Sequence, residues 1–179
     1  MSDDLLQLPT RRAANALQDS RLAMSTEALF EHYDDALPTL RKLGETLARD
    51  VSELLASDAS LKVHSVAWRL KDRESFARKV ARPDRKYDDL WSITDLIGVR
   101  VIMYFEDAVD RVGELIETRL PVDFADSTDK RKLAGTDFGY RSLHYVCRVG
   151  DALPARARFE IQVRTVLEHA WAEIEHDLG

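Results

Sequence analysis

Past Ser57 the apolar residues of this chain stop recurring every three or four positions and begin to recur every second one. That switch restricts the fold to a class in which a helical N-terminal part meets a sheet. Before the switch, Ser25 is placed to cap a long helix running to about Ser57, with Leu29, Tyr33, Leu37, Leu40, Leu43, Leu47, Val51 and Leu54 on one apolar stripe. Pro38 falls inside it and is expected to kink or split it. A first helix is expected over residues 11–24. After the switch, Val63 to Lys71 alternates, with His64, Val66, Trp68 and Leu70 on one face and Ser65, Ala67, Arg69 and Lys71 on the other. A short helix over Arg73–Val80 and a buried strand over Leu96–Phe105 follow. Asp107 is expected to cap a helix through Thr118; Val122–Phe124 reads as a weak strand and Ser127–Phe138 as a polar loop. Tyr140–Val149 and Arg156–Arg164 read as strands. A last helix covers Thr165–Leu178, with Trp171 and Ile174 expected to pack on the sheet. The fold class is therefore α+β, a mixed β-sheet flanked by helices. Residues 1–60 are expected to pack on the domain or make an oligomer contact, and residues 61–179 to carry the chemistry.

Composition narrows the function classes. The chain has 179 residues, 45% of them apolar, enough for one domain with its own core. Its single cysteine, Cys147, lies in a strand-like segment; it reads as a buried thiol and leaves no intrachain disulfide and no cysteine-rich zinc site. No apolar run approaches the roughly 18–20 residues of a membrane span, and the N-terminus has no basic region followed by an apolar one. The expected location is cytoplasmic. A net charge of −6 argues against a broad nucleic-acid-coating surface and leaves room for a local basic site.

Such a site is visible between Arg69 and Lys86, where eight cations (Arg69, Lys71, Arg73, Arg78, Lys79, Arg82, Arg85, Lys86) face three acids. Most charge runs are solvated helix faces. Here, however, Arg69 and Lys71 share a strand face, Ser75 and Lys79 stack four apart on the next helix, and Arg82 follows three later. Guanidinium forks and ammonium point charges joined by a short turn suit a triphosphate. Two acids stand nearby in kind. Asp95 precedes the apolar strand. Glu160 shares a strand face with Gln162 and Arg164, while Phe159, Ile161 and Val163 point to the core. Two carboxylates plus substrate phosphates would suit Mg²⁺ if their strands are neighbours; surface salt bridges are the other reading. Gly139 permits a tight turn that presents Tyr140 at a strand start, either as a platform for a base or as a core residue, and His144 shares its face. His169, Glu173 and His176 lie on one helix face, but the His-Glu-x-x-His order of zinc hydrolases is absent and His169 is better read as a ligand contact.

These segments in order, Arg69-x-Lys71-x-x-x-Ser75-x-x-x-Lys79, Asp95-Leu-Ile-Gly-Val-Arg100, Gly139-Tyr140-Arg141-Ser142-Leu143-His144, Glu160-Ile-Gln162-Val-Arg164-Thr165 and His169-Ala-Trp171-Ala-Glu173, resemble the synthetase domain of RelA/SpoT-type alarmone synthetases. The resemblance runs from about Val63 to Leu178. It implies a nucleotidyltransferase-like sheet and a GTP diphosphokinase, with pyrophosphate passing from ATP to the ribose 3′-hydroxyl of GDP or GTP to make guanosine tetra- or pentaphosphate. It implies that Arg69, Lys71, Ser75, Lys79, Arg82 and Arg100 hold ATP, with Arg69 stacked on adenine. Asp95 and Glu160 would be the catalytic pair and the Mg²⁺ ligands, and Glu160 also the base. Lys132, Tyr140, His144, Gln162 and His169 would line the acceptor pocket.

The sequence departs from the family at Thr136, where a lysine is frequent; Lys130, Arg131 and Lys132 stand just upstream. Two other readings therefore stay open: a toxin-type relative acting on adenosine nucleotides or the CCA end of tRNA, and a catalytically silent nucleotide-binding module. The N-terminal third shows no hydrolase-type His-Asp cluster, so a synthetase-only unit is expected, homo-oligomeric if the long helix packs between subunits. The family's pattern commonly continues beyond the position where this chain stops, which leaves a further C-terminal part as an open reading.

Overall fold

The computed structural model describes residues 24–84, 87–129, 142–150 and 157–178. In chain order these form α1 (Thr26–Ala56), β1 (Val63–Leu70), α2 (Arg73–Val80), a 3₁₀ turn (Leu90–Ser92), β2 (Ile97–Met103), α3 (Asp107–Arg119), β3 (Thr128–Asp129), β4 (Leu143–Arg148), β5 (Arg158–Thr165) and α4 (Val166–Leu178). Among the described residues the strands make one five-stranded sheet in the order β1-β2-β5-β4-β3. Only the β2–β5 pairing is parallel; the other three are antiparallel. The mixed α+β architecture follows the change of period. The helix expected over residues 11–24 falls almost wholly outside the described residues.

Helix α1 begins where the Ser25 hydroxyl accepts the Ala28 N–H at 3.2 Å. It continues through Pro38 without a break. Pro38 is exposed, so the carbonyl it leaves unpaired can turn to water. The stripe from Leu29 to Leu55 is buried against the sheet. At Gly44 the approach is closest: a β-carbon there would sit 2.3 Å from the Trp68 indole, so the ring lies against bare backbone. Helix α3 repeats the device at Gly113, beneath Leu143 and the Tyr145 hydroxyl. Cross-strand rows such as Trp68–Val99–Ile161–Tyr145 supply the covered face. Cys147 is fully buried in this core, and burial pushes its thiol up to about 12, which makes it a packing residue.

Several expectations need correction. The β1–β2 register slips between Val63 and Ser65. A bulge adds one residue and flips the pleat, so Val63 packs against the core while His64 is exposed and meets Tyr104 edge-on. Asp107 is not the cap of α3: Glu106 occupies that place without a side-chain bond, and Asp107 is the first helical residue. Its carboxylate there still complements the helix dipole. The Val122–Phe124 segment reduces to one bridge from Val122 to Cys147. Thr128 and Asp129, expected in a loop, pair with His144 and Leu143 at the sheet edge. Trp171 and Ile174 do not pack on the sheet; with Leu167 they form an exposed stripe on α4. The sheet beneath α4 is polar and holds Arg100 and Glu173 together at 3.1 Å, so the helix turns His169 inward and its apolar side out.

Candidate active site

Arg69, Gly98, Glu160 and Val146 are successive partners across β1, β2, β5 and β4. Ala67, Arg100, Gln162 and His144 form the next row. Partners across a sheet share a face, so Arg69, Arg100, Glu160, Gln162 and His144 all lie on the face opposite the core. The sequence alone left open whether the strands of Asp95 and Glu160 adjoin; the parallel β2–β5 pairing makes them neighbours. Gly98 lacks a side chain between them, which leaves room for Arg69 to lie across β2.

Asp95 stands at the entry to β2, and the two lysines reach it from different elements. Lys71, tied by its N–H to the Leu96 carbonyl at 2.8 Å, places its Nζ 3.0 Å from one carboxylate oxygen. Lys79 of α2 places its Nζ 2.8 Å from the other. Helix α2 is aimed by its Asp72 cap, which accepts the Ser75 N–H at 2.8 Å. The Tyr33 hydroxyl of α1 donates to the Lys71 carbonyl at 2.5 Å and braces the same turn. Burial pushes the Asp95 carboxyl up, but the Lys79 hydrogen bond and the two ammonium charges outweigh it and hold it below its ordinary 3.8.

Glu160 is held more tightly. His144 Nδ1 lies 2.7 Å from its Oε1, and Gln162 Nε2 donates to its Oε2 at 2.5 Å. Gln162 in turn accepts from Arg164 Nη2 at 2.9 Å, and Arg164 is buried. Burial again pushes the carboxyl up; the His144 contact, with the Gln162 bond behind it, brings it below its ordinary 4.5, while the negative charge of Asp95 pushes back. Among the described residues no three His, Cys, Asp or Glu side chains converge as a metal cage. A pair of hard, ionised oxygen donors with few protein partners is the donor set of Mg²⁺ shared with substrate phosphates, and these two residues fit it.

The other expected residues divide. Ser75 lies on α2 itself, one turn before Lys79, and accepts from Arg78 at 2.9 Å; Arg82 is exposed just past α2. Arg100 is bridged to Glu173 of α4 at 3.1 Å. His169 sits half-buried with Nδ1 3.6 Å from the same Glu173; burial, then the Arg164 charge, holds it below its ordinary value. Lys132 and Tyr140 lie outside the described residues. A capping box between Thr165 and Glu168 (2.7 and 3.0 Å onto one Glu168 oxygen) fixes where α4 leaves β5. Sequence reasoning missed the Ser142–His144–Glu160 contacts, the Arg100–Glu173 bridge and the Tyr33 brace. The first was signalled only by the histidine's strand parity, and the other two span distances no local pattern reports.

Two clefts flank this face. One of about 460 Å³ opens between α1 and the β1 edge, lined by Tyr33, Arg41, Trp68, Arg69 and Lys71 among others. Another, about 490 Å³, is lined by Asp110, Glu114, Glu117, Asp129 and His144 among others. Arg69, Arg100, Glu160, Gln162 and His144 lie on the open sheet face between them. No helix among the described residues is long and apolar enough to cross a membrane.

The class this structure defines is an α+β protein with two carboxylates and several cations on the open face of a mixed sheet. The particular family follows from comparison: residues 68–179 match the model of the region found in RelA/SpoT proteins, and the chain belongs to that family. GTP pyrophosphokinase YjbM of Bacillus subtilis is 28% identical over 120 residues, which cover 65% of this chain and 56% of that protein. The chain thus spans little more than half of that relative. The structure of a GTP pyrophosphokinase family protein from Streptococcus pneumoniae superposes with a TM-score of 0.63 at 28% identity, covering 87% of this chain and 77% of that one. The small alarmone synthetase 1 of B. subtilis, solved with its product pppGpp, superposes at 0.69 with 24% identity, over 83% and 79% of the two chains, and attests the fold.

Proposed function

We propose that this chain transfers the pyrophosphoryl group of ATP to the ribose 3′-hydroxyl of GDP or GTP. The observation that carries the reading is Asp95 held between Lys71 and Lys79, one strand from a half-buried Glu160 whose carboxyl is held below its ordinary value. The relative named GTP pyrophosphokinase supports the acceptor assignment. In the reaction the 3′-oxygen bonds to the β-phosphorus, the bond from that phosphorus to the α,β-bridging oxygen breaks, and AMP leaves. Such transfers depend on positioning and charge neutralisation more than on covalent help.

The roles follow from the chemistry of each group. Lys71 and Lys79 each have three donors, so on ATP binding they can keep Asp95 and also grip phosphate oxygens. Arg69, Arg82 and Arg100 add guanidinium contacts, and Arg69 offers a flat surface for adenine. Asp95 and Glu160 would hold Mg²⁺, which supplies charge neutralisation at the β- and γ-phosphates. Glu160 is a weak base whose value lies in its fixed place, and it takes the hydroxyl proton as the bond to phosphorus forms. Gln162 and His169 face the acceptor side.

The test is a transfer assay with γ-labelled ATP and Mg²⁺. GDP, GTP, AMP, ADP, ATP and deacylated tRNA are offered separately, with Glu160→Gln as the blank. Label on GDP or GTP, lost in the variant, supports the reading. Label only on adenine nucleotides or tRNA assigns the chain to a toxin-type relative. Tight ATP binding without transfer to any acceptor makes it a silent nucleotide-binding module.

A further inference from the structure

His144 reaches Glu160, and the route by which it does so carries more than a pocket contact. It lies opposite Gln162 in the β4–β5 ladder, one row from Glu160 on the same face. Its Nδ1 meets Glu160 Oε1 at 2.7 Å, and its Nε2 meets Ser142 Oγ at 2.8 Å. A serine hydroxyl that donates to Nε2 leaves the ring proton on Nδ1, where it points at the carboxylate; this tautomer is assigned from the network. Serine, histidine and carboxylate in this spatial order repeat the contacts of a hydrolytic triad. Their burial reverses the sense. Ser142 is 1% exposed and His144 9%, whereas the Glu160 side chain is 18% exposed. The serine is sealed and cannot be the nucleophile, and the carboxylate is the end that meets a substrate.

Glu160 is therefore held at both oxygens. One takes the Ser142–His144 branch and the other the Gln162–Arg164 branch. Each carboxylate oxygen has room for about two hydrogen-bonding partners, so one position on each oxygen remains for a hydroxyl or a cation. With both ring nitrogens committed inside the protein, His144 has no free nitrogen to offer the acceptor nucleotide.

We infer that His144, oriented by Ser142, is a positioning residue for pyrophosphoryl transfer: it fixes the Glu160 carboxylate in the orientation that meets the acceptor hydroxyl. This rests on the function proposed above, with Glu160 as the group that meets that hydroxyl.

The experiment compares the full chain with His144→Asn, His144→Ala and Ser142→Ala. An asparagine amide nitrogen stands close to where Nδ1 stood and can still donate to Glu160. Misplacing a reacting group by about an ångström costs about 100-fold in rate. The expectation is a kcat loss of that order in His144→Ala with the acceptor KM nearly unchanged, substantial recovery in His144→Asn, and a smaller kcat loss in Ser142→Ala. A raised acceptor KM at unchanged kcat would make His144 an acceptor contact and overturn the inference. Equal losses in the alanine and asparagine variants, with wild-type melting curves, would overturn it too. If His144→Ala does not fold, Ser142→Ala and His144→Asn decide, because both preserve the buried shape.

A second readout does not need turnover. In ¹⁵N-labelled protein the His144 ring should carry its proton on Nδ1, in a hydrogen-bonded signal that Glu160→Ala removes. A proton on Nε2 instead would overturn the serine-set tautomer. An Nδ1 proton in a wild-type protein that transfers nothing would leave the geometry standing and overturn the function it is meant to serve.

Discussion

Replacing Gly44 by alanine sets helix propensity directly against packing. In an exposed helix the change would stabilise by about 1 kcal/mol, because alanine loses less backbone freedom on folding. Here the new β-carbon would lie 2.3, 2.6 and 2.7 Å from three atoms of the Trp68 indole. Ordinary carbon–carbon contact is roughly 3.5 Å or more, so the ring or the helix must move by about an ångström. Trp68 has little freedom to yield: it is packed against the core, and its backbone pairs with Val99. Overpacking of this kind costs about 1–3 kcal/mol, and a contact this short belongs at the upper end. With the propensity gain subtracted, Gly44→Ala should destabilise by about 2 kcal/mol. The assay is urea unfolding, read as a lower midpoint at unchanged slope. Gly150→Ala is the control, since a β-carbon there meets nothing within 4 Å, and it should shift stability by less than about 0.5 kcal/mol. A Gly44→Ala protein as stable as wild type, or more so, would refute the α1–Trp68 contact and the argument built on it.

Three further outcomes follow from the site. Asp95→Asn should lower turnover by about 100-fold or more while ATP binding persists, because Lys71 and Lys79 remain; equilibrium ATP titration beside the transfer assay checks both, and loss of ATP binding would contradict the assignment. The same substitution should change the acid limb of stability. The folded Asp95 carboxyl lies below its unfolded value near 3.8, so its stabilisation is present above that pH and is lost as pH falls through the lower folded value. Wild type should therefore lose more stability than Asp95→Asn on going from about pH 4 to pH 2, and parallel curves would contradict this. Tyr33→Phe removes the hydroxyl that braces the Lys71 carbonyl and should cost about 1 kcal/mol by urea unfolding, with a raised KM for ATP and little change in KM for the acceptor.

Much of the fold could be read from period and capping, since both are local. Ser25 announced α1, and the alternation of Phe159, Ile161 and Val163 announced both the core face of β5 and the polar row opposite it. What failed were features decided by neighbours. The bulge at His64 depends on how β1 pairs with β2, and no periodicity within β1 shows it. Trp171 and Ile174 read as core because they are apolar. The surface under α4 is polar, however, and Arg100 draws Glu173 down to it. The candidate site divides in the same way. Its residue types were legible because phosphate binding calls for a recurring set of cations and carboxylates. The bonds among them were not: Lys79 and Asp95 are 16 positions apart, as are His144 and Glu160, and only the folded sheet brings each pair together.

The account's central claim is that this sheet face moves a two-phosphate unit, and product stoichiometry tests that most directly. ATP, GDP and Mg²⁺ would be incubated with the protein and followed by ³¹P spectroscopy and nucleotide chromatography. The account predicts AMP and a 3′-diphosphorylated guanosine nucleotide appearing one for one, and neither with Glu160→Gln. ADP with inorganic phosphate, or a product bearing a single new phosphate, would contradict it.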